Sequence, residues 1–214
     1  MTAAESAALH RIATEARRRA AAVIAIDGPS GAGKSTLADA LAGVLDAARP
    51  GGAGAGAAGA ASAAARVRVI RLDDAYPGWH GLERGAADLR HRVIAPISAG
   101  RVGWRSPWDW EAGRRRPAVP MLPLRATRIV EGCGAFAAAG DGPRTLRVWV
   151  AAPDALRRQR ALARDGGRFD PYWDVWETQW RRYAARGFAA RAHLVVRVAA
   201  GTAGPAGVAW THDS

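Results

Sequence analysis

The sequence predicts a three-layer α/β fold, with helices on both sides of a mostly parallel five-stranded sheet. Two patterns predict it. The run at 21–26 has the unbroken apolar character of a strand buried on both faces, and further short strand runs follow at 67–72, 128–130, 145–150 and 193–198. The stretches between several of these runs carry helical spacing or helix punctuation, and alternation of this kind implies right-handed crossovers onto one sheet. The length of 214 residues suits one such domain and can bury a core.

Taken in order, residues 3–20 read as an alanine-rich helix studded with arginine, ahead of a main domain at 21–198. The run Ala21 to Ile26 is the first strand, ended by Asp27-Gly28. A helix then begins near Gly33, where Leu37, Leu41, Val44 and Leu45 make one apolar face. The run 50–65 is almost entirely Gly and Ala and reads as a flexible surface insertion within the domain. The second strand, Val67 to Leu72, ends in Asp73-Asp74, and a helix follows over Glu83 to Ile94, limited by Pro96.

Residues 101–127, rich in Trp, Pro and Arg, read as irregular. Strand three runs into Glu131-Gly132. After strand four, Pro153 opens a helix that Gly166-Gly167 closes. Asp170 and Pro171 begin the next helix, ended by Gly187 before the last strand. The tail at 199–214 gives no clear pattern. Ligands on open parallel sheets sit at the carboxyl ends of the strands. The pairs Asp27-Gly28, Asp73-Asp74 and Glu131-Gly132 are therefore expected to converge.

The most informative string is Gly28-Pro29-Ser30-Gly31-Ala32-Gly33-Lys34-Ser35, which fits G-x-x-x-x-G-K-[ST] in full between a strand and an amphipathic helix. The glycines let the backbone close around a phosphate and aim its N–H groups inward, and the helix adds its positive end. The fold predicted is thus the P-loop NTPase type. Gly28, Ser30, Gly31, Ala32, Gly33, Lys34, Ser35 and Thr36 are the candidate ATP contacts. Lys34 is expected to reach the β- and γ-phosphates, and Ser35 to ligate Mg2+. Lys34 is also the only lysine in the chain. An Asn-Lys-x-Asp guanine motif is therefore absent, as are a Leu-Ser-Gly-Gly-Gln transporter signature and a strand ending in Asp-Glu.

A single short domain of this type fits a small kinase. Asp73 is placed to accept the proton of a substrate hydroxyl, with Asp74 as a neighbour. Aspartate also serves as a turn former and cap at such positions. Arg160 and Arg164, four apart on one helix face, are candidates for stabilising charge on the transferred phosphoryl group, the role of an arginine-rich lid. A solvated basic helix is the plainer reading of the same run. Trp173, Trp176 and Trp180 share a face and read as packing. Cys133, the single cysteine, forms no internal disulfide and reads as a small buried residue. The five histidines lack metal-ligand spacing.

The string from Ile24 to Thr36 resembles the opening of uridine kinases and of cytidylate kinases. Asp73-Asp74-Ala75-Tyr76 is similar to the Asp-Ser-Phe-Tyr element of the uridine kinase family, which implies a catalytic base at Asp73 and a nucleoside contact at Tyr76. Pro107-Trp108-Asp109-Trp110 resembles that family's Tyr-Asp-Phe substrate segment, which implies substrate contacts at Trp108 and Asp109. Glu131-Gly132-Cys133-Gly134-Ala135-Phe136 resembles its Glu-Gly-Ile-x-Ala-Phe segment, where the Glu supports the metal; Ser35, Glu131 and Asp74 are thus the candidate metal group. Arg157, Arg160, Arg164 and Asp165 resemble its lid. The family's histidine after Tyr-Asp-Phe is missing, with Glu111-Ala112-Gly113-Arg114 in its place.

The resemblance implies ATP and Mg2+ as cofactors and a nucleoside-like small molecule as acceptor. A nucleoside monophosphate kinase is the alternative enzyme, with Arg84, Arg90 or Arg92 holding an acceptor phosphate. An ATP- or polyanion-binding protein without transfer activity is the alternative from another class. The net charge of +12 rests almost wholly on arginine in an Ala-, Gly- and Arg-rich composition. It attracts polyanions at low salt without implying specific nucleic-acid recognition. No window reaches the roughly 18 apolar residues of a membrane span. The N-terminus lacks the apolar core of a secretory signal, so a cytoplasmic location is expected.

Overall fold

The computed structural model describes residues 2–48, 67–123, 126–200 and 208–212; the Gly/Ala-rich run expected as a flexible insertion lies outside the described residues. Helix α1 (Ala3–Arg18) opens with a capping box, in which the Glu5 N–H donates to Thr2 Oγ1 at 3.2 Å and the Thr2 N–H to Glu5 Oε2 at 2.6 Å. Strand β1 (Val23–Asp27) is buried throughout and leads into α2 (Lys34–Ala47). Strand β2 (Arg68–Arg71) ends in a 3-10 turn, Leu72–Asp74. Helix α3 (Leu82–Leu89) runs on through a π-helical turn, Arg90–Ile94, into α4 (Ala95–Ser98).

The segment expected to be irregular instead forms two small antiparallel ribbons. Strand β3 (Gly103–Arg105) pairs with β6 (Val119–Met121), and between them β4 (Trp108–Asp109) pairs with β5 (Arg114–Arg115). The main sheet resumes with β7 (Arg128–Glu131), followed by α5 (Ala135–Ala139), β8 (Thr145–Ala151), α6 (Asp154–Arg164), α7 (Trp173–Ala184) and β9 (Leu194–Ala200). A 3-10 turn at Asp170–Tyr172 precedes α7, and the Asp170 side chain makes no cap bond. Strand β10 (Val208–His212) lies in the tail that gave no pattern.

Sheet order is β10-β9-β8-β1-β7-β2. Five strands run parallel, as the sequence predicts, and β10 adds an antiparallel edge on β9. Alternate residues of β1 feed two cores. Ile24 and Ile26 pack with Leu9, Ile12, Leu37 and Leu41 from α1 and α2. Val23 and Ala25 face the side of Leu82, Phe136, Trp176 and Trp180 from α3, α5 and α7. Helices therefore cover both faces of a central sheet, the three-layer arrangement that buries every residue of the central strand β1. The three tryptophans of α7 are buried in this second core, as packing residues. No helix among the described residues is long and apolar enough to cross a membrane.

Candidate functional site

Strand β1 is central, so the loop after it opens between the carboxyl ends of its two neighbours. Register places Ile26 beside Glu131 of β7 and Asp27 beside Trp149 of β8; Arg71 of β2 is in turn beside Glu131. The loop itself depends on glycine. Gly28, Gly31 and Gly33 take φ of 145°, 76° and 90°, in the region that side chains rarely enter. A Cβ on Gly28 would overlap the Val150 carbonyl oxygen, and one on Gly31 would overlap that of Arg157. The phosphate-loop backbone is thus wedged between the end of β8 and the start of α6. Thr36 is exposed on the first turn of α2.

Lys34 is buried, and its Nζ donates to the Pro29 carbonyl at 2.7 Å and toward Cys133 Sγ at 3.6 Å. The ammonium thus curls back across the loop. Ser30 Oγ is 3.5 Å from the same sulfur. Cys133 itself is buried, and burial pushes its thiol pKa up. Ser35 Oγ donates to both oxygens of Glu131, at 3.1 and 3.2 Å. Arg71 bridges the carboxylates around this pair, reaching Glu131 Oε1 at 3.1 Å and Asp39 at 2.7 Å. Burial pushes the Glu131 carboxyl up, and the charge of Asp73 adds to that push against Lys34 and Arg71.

Asp73 is exposed on the 3-10 turn after β2. Its charge acts on Glu131, Tyr76, Cys133 and Arg164, which sets it beside the loop. Its backbone carbonyl accepts from Trp110 Nε1 at 3.0 Å, tying the turn to the β4–β5 ribbon. Asp74 pairs instead with Arg105 of β3 at 3.4 Å. Of the candidate metal group, the contacts join Ser35 with Glu131 and leave Asp74 on the ribbon side. Tyr76 is almost fully buried and donates to the Cys133 carbonyl at 2.8 Å, so its hydroxyl braces the turn after β7. Trp108 is half-buried near Gly78. Asp109 closes its own ribbon: it accepts from the Ala112 and Glu111 N–H groups at 2.9 and 3.2 Å and from Arg116 at 3.1 Å. The Ala112 N–H first, then Arg116, holds its pKa low.

The arginines of α6 differ in environment. Arg157 is buried and bound to Asp154 at 2.8 Å and to Glu177 of α7 at 2.8 Å. It locks α6 to α7. Arg160 is half-buried. Arg164 is exposed, holds Asp165 at 2.8 and 3.2 Å, and has its cation favoured by that bond first and by Asp73 next. Of the alternative acceptor arginines, Arg90 lines a cavity under the amino ends of the strands, whereas Arg92 lines a small hollow beside Asp74.

Two features escaped sequence reasoning. Asp27 is fully buried and accepts four bonds: from the Gly28, Gly134 and Phe136 N–H groups at 2.7, 3.0 and 2.8 Å, and from the Tyr183 hydroxyl at 2.6 Å. Burial nevertheless pushes its pKa up. One carboxylate therefore fastens the loop's first residue to the turn before α5 and to α7. The second feature is an aromatic stack. Trp79 lies nearly parallel to Phe169 and Tyr172, with ring centres 5.0 and 4.9 Å away, and meets Trp110 at 4.6 Å. It joins the segment after α6 to the β4–β5 ribbon. Aromatic abundance in 104–110 was visible in the sequence, but nothing there indicated which rings would meet.

No protein-family model and no curated protein matches the chain. Among solved structures it is similar to that of a possible uridine kinase from Bacillus stearothermophilus. The TM-score is 0.51 at 19% identity, covering 87% of this chain and 97% of that one. A "putative fructose transport system kinase" from Silicibacter sp. TM1040 matches at a TM-score of 0.43 and 18% identity, covering 75% of this chain and 85% of that one. The first likeness extends to the P-loop α/β fold.

Proposed function

We propose that the chain is a kinase that uses ATP and Mg2+ to phosphorylate a hydroxyl of a small, nucleoside-like acceptor. The observation that carries this reading is the meeting of the Ser35–Glu131 pair with the charge of Asp73 at the glycine loop. The loop's positive-φ glycines and the start of α2 suit phosphate oxygens, and the hydroxyl–carboxylate pair supplies the hard oxygens that Mg2+ takes directly or through water. When bound, Mg2+ would supply positive charge to the phosphates.

The remaining work falls to the chain's own groups. Lys34 would leave the Pro29 carbonyl and Cys133 to reach the phosphates, a short swing from within the loop. The Asp73 carboxylate would take the acceptor's hydroxyl proton as that oxygen bonds the γ-phosphorus. The bond from the γ-phosphorus to the β,γ-bridging oxygen breaks, and ADP leaves with that oxygen. Arg164, and Arg160 on the same helix face, would balance the charge spreading over the transferred group. The likeness to the structure of a possible uridine kinase supports the acceptor class.

The test is to incubate the protein with labelled ATP, Mg2+ and a library of metabolites that includes nucleosides and nucleoside monophosphates, following which compound gains label. Asp73→Asn is expected to abolish transfer and to leave ATP binding within a few-fold. Full turnover by that variant would remove Asp73 as the base. Label appearing only on monophosphates would replace the hydroxyl acceptor by a phosphate.

A further inference from the structure

We propose that the chain has a second small-molecule site, under the amino ends of the strands, that takes an anion with an apolar body. A cavity of about 750 Å3 opens there. Enclosures of about 300–1,000 Å3 are typical of small-ligand sites. The site lies at the opposite end of the sheet from the glycine loop, because Val23, Arg128 and Thr145, which line it, begin their strands in mutual register. It shares no residue with the loop at 28–36.

The lining has the character of a recognition site. Ile94, Ile97 and Ala126 are buried apolar walls, suited to a ring or short chain. Arg90, Arg128 and Arg144 line it as well, against one carboxylate among the described residues, that of Asp141. That carboxylate is answered from outside the cavity, by Arg191 at 2.6 Å and Arg147 at 3.2 Å. The balance within the cavity is therefore cationic. Arg90 donates to the Ala137 carbonyl at 3.3 Å and Arg144 to the Ala20 carbonyl at 2.8 Å, one brace each. Each guanidinium carries five N–H donors, more than its brace uses. Arg128 is 8% exposed, and burial, with Arg68 beside it, disfavours its cation.

Two independent features of the backbone support a purpose-built wall. The helix that lines one side leaves α-geometry at this point: Arg90 and Ile94, the first and last residues of the π turn, both face the cavity. Single π turns of this kind cluster at functional sites. Opposite them, Gly140 takes φ of 74° and its missing side chain leaves the space that the Arg90 guanidinium fills. Any larger residue there would evict the arginine.

The probe is 8-anilinonaphthalene-1-sulfonate, an anion on an apolar aromatic body, titrated into the full chain and followed by fluorescence. One saturable site is expected, unchanged by saturating ATP and Mg2+. Arg144→Gln and Ser98→Trp are both at exposed lining positions and are expected to weaken it by about tenfold or more, the usual cost of losing one charge-assisted bond or the space itself. Circular dichroism melts of both variants, unchanged from the parent, would show that the fold is kept. Three results would each overturn the proposal: no saturable binding to the parent chain, displacement by ATP, or affinity unchanged from the parent in both variants.

Discussion

Ser35 and Glu131 stand 96 residues apart in sequence and 3.1 Å apart in space, hydroxyl to carboxylate, at the ends of α2 and β7 that meet beside β1. A neutral donor facing a buried anion is a pair that a divalent cation can enter, because both oxygens turn lone pairs to it once the hydroxyl rotates. Ser35→Ala and Glu131→Gln are each expected to raise the Mg2+ concentration needed for tight ATP binding by about 10- to 100-fold. Metal-free ATP binding by Ser35→Ala should hardly change. Titrating Mg2+ at fixed ATP checks this, and an unchanged midpoint in both variants would place the metal elsewhere.

Two glycines offer opposite outcomes from the same substitution. Gly31→Ala puts a Cβ against the Arg157 carbonyl at a φ of 76°. Neither backbone can yield cheaply, so a loss of about 2 kcal/mol or more is expected, together with loss of ATP binding. Gly43 is in the exposed interior of α2, with open space where its Cβ would go. Gly43→Ala should raise stability by about 0.5–1 kcal/mol through helix propensity alone. Urea denaturation of the pair, with ATP titration of each, measures both effects.

The buried acceptor Asp27 serves four donors, and an amide cannot. Asp27→Asn keeps one acceptor oxygen and turns an NH2 toward N–H groups of the loop or of α5. A loss of about 3 kcal/mol or more is expected, the cost of leaving several buried donors unmet. Tyr183→Phe removes only one of the four bonds and should cost about 1–2 kcal/mol. If the two variants unfold at the same urea concentration, the three backbone bonds to Asp27 are not what fixes the loop.

How much of this could be read from the chain follows from what each signal depends on. The phosphate loop was legible because its φ angles require glycine at fixed spacing, and β1 because burial on both faces demands a continuous apolar run; the other parallel strands, such as β2 with an arginine at each end, showed only as short apolar-rich runs. The ribbons at 103–121 were not, since strands of two or three residues such as Trp108–Asp109 have too little length to show alternation. Strand β10 was hidden for a similar reason: it is five residues long, and its pairing with β9 joins Val208 to Ala200. Asp27 looked like a strand terminator, because its four donors come from positions up to 156 residues away. Asp74 and Glu131 looked equivalent as carboxylates after strands, and only register separates them, by pairing Glu131 with Ile26 and leaving Asp74 to Arg105.

His193 gives the fold a pH dependence. Its Nδ1 accepts the Arg147 backbone N–H at 3.0 Å, which keeps that nitrogen unprotonated. The guanidinium groups of Arg147 and Arg19 lie 3.1 and 3.5 Å from Nε2. A second proton, on Nδ1, would therefore break that backbone bond, and the ring cation it creates would face two guanidinium groups. Burial first, then Arg147 and Arg19, hold the ring's pKa below 6.5, with Glu15 opposing them. The unfolded chain lacks these neighbours and takes up the proton near 6.5. Protons thus favour the unfolded state: the stability tied to the neutral ring is complete above that pH and is lost as pH falls through it toward the lower folded value. His193→Gln can still accept the Arg147 N–H but cannot titrate. Denaturation midpoints at pH 7.5 and about 5.5 are expected to fall further in the parent than in His193→Gln. Equal falls would mean that the ring is protonated without cost in the folded chain, and that the bond to β8 is not what its neutrality protects.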